Sequence, residues 1–385
     1  MTEKIYLDYA ATTPVDPRVM DVMMPYFTQD FGNPSSVHRY GQKAEGALDE
    51  ARATVAQALN AAMGEIIFTS CGTESNNLAI RGAALAARER TGANRILTSR
   101  VEHTAVTRTV AQLEKYYGFE VVWLEIDETG MVRPETVAAA IDEKTALVTL
   151  MYANNEIGTV NPIGEISTIC REKGVLFHTD ALQATGYFSM DVETLGVDLL
   201  SLGSHKFYGP KGVGALYVRK GTELIPHQTG GGQENGLRAG TQNVPYIVGF
   251  AEALHLTSEE REARVAHVQP LRDRIIGTVF EEIPDAKLTG HPSSRLPNHA
   301  SFVFKGVDGN TLVQLLDGAG FACSSGSACK TGNPEPSGVM TAIGLEHLWG
   351  LGSLRVTLGA HSTLEHVDAF LTVLPDLVEK ARKLR

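Results

Sequence analysis

The chain has 385 residues, of which 43% are hydrophobic and 21% are charged, and its formal net charge at pH 7 is −11. This composition is typical of a globular protein with a large core and, at this length, two domains. The acidic balance argues against a nucleic-acid-binding surface. No run of about 18 apolar residues predicts a membrane span. The polar start MTEKIYLDYAATTP lacks the apolar segment of a secretory signal, so we expect a cytoplasmic protein.

The first two thirds of the chain alternate strand patterns with helical patterns. Buried strands are predicted from the short β-branched runs EIIFT, RILTS, EVVWLEI, TALVTLMY, VLFHTD, DLLSLG and GALYV. Between several of them, apolar residues recur with helical spacing, as in EGALDEARATVAQALNA. Strands that alternate with helices predict an α/β domain with a mainly parallel sheet. Ligands bind beyond the carboxyl ends of such strands, so functional residues should follow each strand.

The last third of the chain has a different pattern. The stretch SEEREARVAHVQPLRDRIIGTVFEEI predicts a long amphipathic helix, and HASFVFKGV, TLVQLLDGAG and GSLRVTLG predict a strand, a helix and a strand. We expect the final helix to be interrupted near Pro375. We therefore predict a large domain over residues 15–255, and a smaller α+β domain built from residues 1–14 and 256–385. A cysteine-containing loop at about 323–338 belongs to the smaller domain.

The four cysteines are Cys71, Cys170, Cys323 and Cys329, and they lack the paired CxxC spacing of a zinc site, so no metal is expected. Cys329 lies in CSSGSACKTGNPEPSG, among small residues and prolines. Free cysteines are usually buried. A thiol in this setting indicates a reactive residue, and the alternative is a loop tip without function.

Polar residues follow several of the predicted strands. Gly72 and Thr73 precede a helix whose free backbone N–H groups would attract an anion, although Thr73 could simply cap that helix. Asp180 ends a very apolar strand, where a carboxylate needs a cation or several hydrogen-bond donors. Lys206 lies in the glycine-rich turn SHKFYGPKG. Other strands are followed by His103, Asn155 and His205. Taken singly, each of these residues is more often structural than functional.

Together, these residues match the needs of one cofactor, pyridoxal 5′-phosphate (PLP). PLP needs a lysine for covalent attachment, an acid beside its pyridine nitrogen, an anion site for its phosphate and a flat group over its ring. Lys206 supplies the amine, and Asp180 supplies the acid whose charge keeps the pyridine nitrogen protonated. The remaining needs are met by Gly72, Thr73 and His205 for the phosphate and by His103 for the ring.

Stretches along almost the whole chain carry a resemblance to one family: YLDYAATTP, GNPSSVH, FTSCGTESNNLAI, EHTAV, ANNEIGT, HTDALQA, SHKFYGPKGVGALYVR, GGGQENGLRAGTQN and SSGSAC. They resemble the signatures of NifS/IscS-type cysteine desulfurases, in the long-loop branch of the class V aminotransferase family. The resemblance implies PLP fold type I, the aspartate-aminotransferase-like fold. This fold has a large domain with a mainly parallel seven-stranded sheet and a smaller α+β domain.

The resemblance also implies a role for each matching residue. Lys206 would hold PLP, Asp180 would pair with the pyridine nitrogen, and His103 would stack on the ring and help to move protons. Further cofactor contacts are implied for Gly72, Thr73, Asn155, Gln183, Ser204, His205 and, across a homodimer, Thr241. Asn155 and Arg355 would bind the substrate carboxylate, a task that suits the forked arginine side chain.

Cys329 matches the nucleophile of this family. Its thiolate would attack the sulfur of free L-cysteine, leaving L-alanine and a persulfide that passes to a sulfur-acceptor protein. Since the thiolate is the nucleophile, Cys329 should meet a proton acceptor or a cation when it reacts. The acceptor could serve iron–sulfur cluster assembly, tRNA thiolation or DNA phosphorothioation. Selenocysteine lyase, another class V PLP aminotransferase or lyase, and a non-catalytic scaffold stay open as alternatives.

Three features depart from the family pattern. Gly203 stands where a phosphate-binding serine is usual, which predicts the loss of a hydrogen bond worth about 1 kcal/mol or somewhat more. Cys71 replaces a common glycine, and Cys323 is an additional thiol. We expect both to pack, and the alternative for Cys323 is a disulfide with Cys329 or acceptance of its sulfur. The chain ends at Arg385 without the longer tail that often docks a scaffold protein, which puts that partner in doubt.

Overall fold

The computed structural model describes residues 4–326 and 335–384. The helices in these ranges are α1 (Pro17–Met23), α2 (Pro25–Thr28), α3 (Arg39–Leu59), α4 (Gly72–Thr91), α5 (Thr104–Tyr117), α6 (Pro134–Ala140), α7 (Ile163–Glu172), α8 (Val192–Leu195), α9 (Val244–Glu282), α10 (Gly309–Gly318), α11 (Gly338–Ala342), α12 (His347–Gly350) and α13 (Leu364–Lys383). The strands are β1 (Ile5–Tyr6), β2 (Ile66–Thr69), β3 (Arg95–Ser99), β4 (Glu120–Leu124), β5 (Thr145–Met151), β6 (Leu176–Asp180), β7 (Leu199–Gly203), β8 (Gly214–Val218), β9 (Ala286–Leu288), β10 (His299–Phe304), β11 (Phe321–Ala322) and β12 (Ser353–Thr357).

The largest sheet has seven strands in the order β2-β8-β7-β6-β5-β3-β4. Neighbouring strands are parallel, except that β8 runs antiparallel to both β2 and β7. Every apolar run that predicted a strand in the first two thirds of the chain forms one. The predicted α/β fold with a mainly parallel seven-stranded sheet is therefore confirmed.

The central strands are buried on both faces, which explains why most of their residues are apolar. Because side chains alternate along a strand, Leu147 and Leu199 pack into the core on one face of the sheet, with α4 and α5. Their neighbours Val148 and Leu200 pack into the core on the other face, with α3, α7 and the first half of α9. Helices thus cover both faces, and the edge at the carboxyl ends of the parallel strands stays open for a site.

A second core lies under a smaller antiparallel sheet in which β10 is the central strand between β9 and β12. Phe302 and Phe304 on β10 pack there against Ile275 of α9 and Phe370 of α13. The N-terminal strand β1 pairs with β11, so the start of the chain joins this second layer.

Two helices differ from the predictions. Helix α9 begins at Val244 and continues through the expected domain boundary at residue 255, although the boundary itself stays a prediction. Helix α13 includes Pro375 without a break, so the predicted interruption was wrong. A proline inside a helix costs about 3 kcal/mol. Burial of Leu374 and Val378 on either side of the proline offsets this cost. In the described part of the chain, no helix has both the length and the apolar character needed to cross a bilayer.

Candidate active site

A cavity of about 330 Å³ opens beyond the carboxyl ends of the parallel strands, as the alternating pattern predicted. His103 reaches it from the end of β3, Asn155 from the turn after β5, Gln183 from the segment after β6, and Lys206 from the turn after β7. The same cavity is lined by the predicted residues Gly72, Thr73, Asp180, His205 and Arg355. Residues that are far apart in sequence therefore meet at one edge of the sheet.

Lys206 ends a short 3₁₀ turn, Ser204–Lys206, directly after β7. Its Nζ donates hydrogen bonds to the carbonyl oxygens of Ala10 at 2.6 Å and Ala11 at 2.8 Å. Burial lowers the pKa of Lys206 to about 8, with a further contribution from the positive charge of Arg355. A substantial fraction of this amine is therefore uncharged near neutral pH, as attack on a carbonyl group requires.

Asp180 is buried at the end of β6, and its carboxylate meets the donors that the sequence argument required. The side-chain amide of Asn76 donates to Oδ2 at 2.7 Å, and the backbone N–H of Leu182 donates to Oδ1 at 3.1 Å. Asn76 was missed in the sequence. It lies on α4 one turn after Gly72, on the same helix face, and this spacing could have pointed to it.

His103 caps the start of α5, with its Nδ1 accepting a hydrogen bond from the backbone N–H of Ala105 at 3.1 Å. Because Nδ1 is the acceptor, the neutral ring carries its proton on Nε2. The neighbouring Glu102 is fully buried, and its Oε1 accepts hydrogen bonds from Ser99 Oγ at 2.9 Å and from the backbone N–H of Met151 at 3.0 Å. Burial raises the pKa of Glu102 to about 8, so this carboxyl is mostly protonated at neutral pH.

The start of α4 faces the same cavity and forms its candidate phosphate end. The helix begins at Gly72 with Cys71 as its N-cap residue, so the alternative role of Thr73 as the cap was wrong. A Cβ atom on Gly72 would lie 2.2 Å from Leu182 Cδ2, so a larger residue there would require the Leu182 side chain to move. Burial lowers the pKa of His205 to about 4, with a further contribution from the charge of Lys206. His205 is therefore a neutral group at this end of the cavity.

Gly203, which departs from the family pattern, lies beside Leu182. A Cβ atom on Gly203 would lie 3.0 Å from Leu182 Cδ2 and 3.5 Å from the backbone nitrogen of Gly72, so this position points towards the phosphate end. Leu182 fills the space instead. Ser204 is fully buried on the other side of the turn, with its Oγ against Gly209, and it does not line the cavity. The structure does not place Ser204 with the other predicted cofactor residues, because successive side chains leave the strand end in opposite directions.

Arg355 extends into the cavity from β12, a strand of the smaller antiparallel sheet. Its Nη1 donates to the carbonyl oxygen of Asn155 at 2.8 Å, and its Nη2 forms an ion pair with Asp8 Oδ1 at 2.7 Å. Asn155 and Arg355 were predicted to bind one carboxylate, and the structure places them in contact. Asp8 was not predicted as a site residue.

Thr241 does not line this cavity. It lines a separate small cavity with Ser70 and Phe68. The glycine-rich segment before it is anchored rather than a free linker, since Glu234 forms a buried two-point ion pair with Arg52 at 2.7 and 2.8 Å. A contact of Thr241 with a cofactor in a partner subunit stays a prediction.

The predicted nucleophile Cys329 lies outside the described residues. The described segment before it runs directly beside the site, because the backbone N–H of Arg355 donates to the carbonyl oxygen of Ser324 at 2.8 Å. Cys323 is buried, and burial raises the pKa of its thiol, so its described environment is that of a packing residue. Its possible link to Cys329 stays a prediction. Cys71 is half-buried and lines the cavity, so it does more than pack in the core.

Residues 5–370 match the family model of class-V aminotransferases. The chain belongs to this family. It is 46% identical over 384 residues to cysteine desulfurase IscS of Dictyoglomus turgidum, and the match covers 100% of this chain and 97% of the relative. The structure of a NifS-like protein, 37% identical, superposes with a TM-score of 0.91 and covers 98% of this chain and 100% of its own. SspA in complex with cysteine, 35% identical, superposes with a TM-score of 0.81 over 93% of this chain and 100% of its own.

Membership of the class V family confirms both the fold, PLP fold type I, and the cofactor expected from the sequence. The residues present fit PLP. Gly72 begins α4 at the cavity, where the free backbone N–H groups of a helix N-terminus suit a phosphate group. Asp180 is a buried carboxylate with two donors already in place and with lone pairs left for a ring N–H. Lys206 supplies an amine of lowered pKa at the same cavity.

Proposed function

We propose that the chain is a cysteine desulfurase that removes sulfur from L-cysteine, releases L-alanine and carries the sulfur as a persulfide on Cys329. The curated relatives named cysteine desulfurase match the whole chain, and they confirm the class of activity expected from the sequence. The residue assignments rest on one observation, the cavity where Lys206, Asp180, His103 and Arg355 meet. SspA, which superposes on this chain, binds cysteine in its own structure, and this supports L-cysteine as the substrate.

The protein's own residues bind and orient the substrate. When bound, PLP withdraws electrons from the α-carbon of an attached amino acid. Arg355 and Asn155 bind the substrate carboxylate, and Asp180 keeps a proton on the nitrogen of the cofactor ring. Lys206 holds or moves a proton at Nζ, because its lowered pKa gives both the charged and the neutral amine near neutral pH. His103 donates from Nε2, since its Nδ1 is held as an acceptor by Ala105.

Sulfur transfer requires a nucleophile that attacks the substrate sulfur. The thiolate of Cys329 forms a sulfur–sulfur bond, the bond between the substrate sulfur and the β-carbon breaks, and its electron pair stays with carbon. The carbon accepts a proton, and L-alanine and the Cys329 persulfide are the products. This assignment is supported by the backbone pairing of Ser324 with Arg355, which holds the segment before Cys329 next to the candidate carboxylate site.

The proposal also includes a homodimer and a sulfur-acceptor protein as partner. Thr241 does not line the active-site cavity of its own chain, which is compatible with the proposed homodimer in which it reaches the cofactor of the partner subunit. A sulfur-acceptor protein must take the persulfide sulfur, for iron–sulfur cluster assembly, tRNA thiolation or DNA phosphorothioation. The cytoplasm is the proposed location, because a free thiol nucleophile needs a reducing compartment.

The Cys329→Ser variant tests the nucleophile. We expect it to retain the absorbance of bound PLP and to lose the formation of L-alanine from L-cysteine. Unchanged L-alanine formation would rule out Cys329 as the nucleophile. Loss of activity in Cys71→Ser instead would move the role to Cys71, which also lines the cavity. Selenocysteine turnover that survives in Cys329→Ser would favour the selenocysteine lyase alternative, because selenium leaves without thiolate attack.

A further inference from the structure

Asp8 lies between the candidate carboxylate-binding arginine and the segment that leads to Cys329. Its Oδ1 pairs with Arg355 Nη2 at 2.7 Å, and its Oδ2 accepts a hydrogen bond from Ser324 Oγ at 3.1 Å. Both side chains of the ion pair are mostly buried, at 13% exposure for Arg355 and 16% for Asp8. The contact therefore lies inside the protein at the edge of the cavity, where solvent screens it little.

The bonds of Arg355 leave part of its guanidinium group unused. An arginine side chain has five N–H donors. Within residues 4–326 and 335–384, Nη2 donates to Asp8, Nη1 donates to the carbonyl oxygen of Asn155, and the buried Nε has no acceptor. The group is thus fixed at both terminal nitrogens and still has donors for a further anion.

We propose that Asp8 is a positioning residue for the substrate carboxylate. It holds the guanidinium group of Arg355 against the Asn155 turn, and it joins this group to Ser324 on the segment before Cys329. The inference rests on the proposed role of Arg355 as the carboxylate-binding residue. Asp8 itself touches neither the substrate nor the cofactor in this account.

Two physical effects of Asp8 have opposite signs. A long arginine side chain loses much rotamer freedom when it is ordered, and a buried guanidinium group without a carboxylate partner is energetically costly. Loss of Asp8 would therefore release Arg355 from its binding geometry. Conversely, the negative charge of Asp8 offsets the attraction of Arg355 for a second carboxylate. We expect the first effect to dominate, because both terminal nitrogens of Arg355 are held in the described structure.

The test compares two ligands that differ only in the carboxylate. L-Alanine and ethylamine are titrated into the PLP-loaded enzyme, and the absorbance of the cofactor reports binding. In Asp8→Asn, we expect the Kd of L-alanine and the KM of L-cysteine to rise about tenfold, the size of one charge-assisted hydrogen bond. Ethylamine binding and kcat should stay within about twofold of the parent enzyme. Asp317→Asn is the matched control, because Asp317 forms an ion pair of the same 2.7 Å length with Lys4 on the exposed surface.

Two further variants distinguish a failure of the inference about Asp8 from a failure of the proposed role of Arg355. Ser324→Ala removes the second hydrogen bond of Asp8 without changing the carboxylate, and we expect a weaker effect of the same sign on L-alanine binding. L-Alanine binding that is unchanged or tighter in Asp8→Asn would overturn the inference. Unchanged binding in Arg355→Lys would instead remove the carboxylate role of Arg355 from the proposed function. Weaker binding in Arg355→Lys alone would leave that role in place and remove only the role of Asp8.

Discussion

The lowered pKa of Lys206 predicts how the cofactor-free enzyme takes up PLP. Burial is the main cause of the shift, and the charge of Arg355 adds to it, whereas Asp180 and Asp8 oppose it. The amine must be uncharged to attack the aldehyde of PLP. Replacement of Arg355 by glutamine therefore should raise the pKa of Lys206 and slow the uptake of PLP at neutral pH.

The expected magnitude follows from the fraction of uncharged amine. With a pKa of about 8, roughly one tenth of the Lys206 amine is uncharged at pH 7, and with the ordinary value of 10.5 the fraction would be roughly one part in 3,000. The shift thus gives an advantage of about 300-fold in reactive amine at pH 7. The rate of PLP uptake should rise with pH and level off above about pH 8.

Stopped-flow absorbance after mixing cofactor-free enzyme with PLP measures this rate from pH 6 to pH 10. The reaction of PLP with Nα-acetyl-lysine under the same conditions is the control, because it corrects for the titration of PLP itself. We expect a midpoint near pH 8 in the parent enzyme and a higher midpoint in Arg355→Gln. A midpoint near pH 10 in the parent enzyme, or the same midpoint in both proteins, would refute the reasoning.

Three further predictions concern stability and thiol reactivity. Folding raises the pKa of Glu102 from 4.5 to about 8, so its contribution to stability is full below pH 4.5 and is lost as the pH rises towards 8. As the pH rises from 5 to 7, the free energy of unfolding of Glu102→Gln, measured in urea, should therefore increase by about 3 kcal/mol relative to that of the parent. Parallel pH profiles of the two proteins would contradict this. Glu234→Gln leaves Arg52 buried without its partner and should cost about 3 kcal/mol or more in the same assay. Iodoacetamide should modify Cys71 and spare the buried Cys323, and equal labelling of the two thiols would contradict their assigned environments.

Much of the large domain was predictable because its strands are buried on both faces. A run such as TALVTLM is mostly apolar for this reason, and β5 forms over the whole of it. The same topology explains why predicted site residues line one cavity. Once parallel strands are predicted, the residues that follow them must meet at one edge, and Lys206, Asp180 and His103 do.

The residues that were missed depend on contacts that no local pattern encodes. Asp8 meets Arg355 across 347 positions of sequence, and this contact requires the N-terminal segment to join the second layer through β1 and β11. Asn76 reaches Asp180 only because of the way α4 packs on the sheet. Ser204 does not line the cavity, whereas the neighbouring Gly203 points towards the start of α4, and a cofactor contact of Ser204 stays a prediction.

The early start of α9 was missed for a different reason. Its first turns, VPYIVGFAEALHL, are buried on several sides and lack the amphipathic spacing that marks a surface helix. Burial also explains why α13 continues through Pro375, because tertiary packing outweighs the low helix propensity of proline.

The central claim is that the amine of Lys206 and the thiol of Cys329 act on one bound L-cysteine, and a single turnover tests it most directly. Enzyme loaded with PLP is mixed with one equivalent of L-cysteine without reductant, alkylated and digested, and the peptides are analysed by mass spectrometry. The account predicts one added sulfur atom on the peptide that contains Cys329, an equal amount of L-alanine, and neither product in Lys206→Ala. Added sulfur on Cys71 or Cys323 instead, or L-alanine formed by Lys206→Ala, would contradict it.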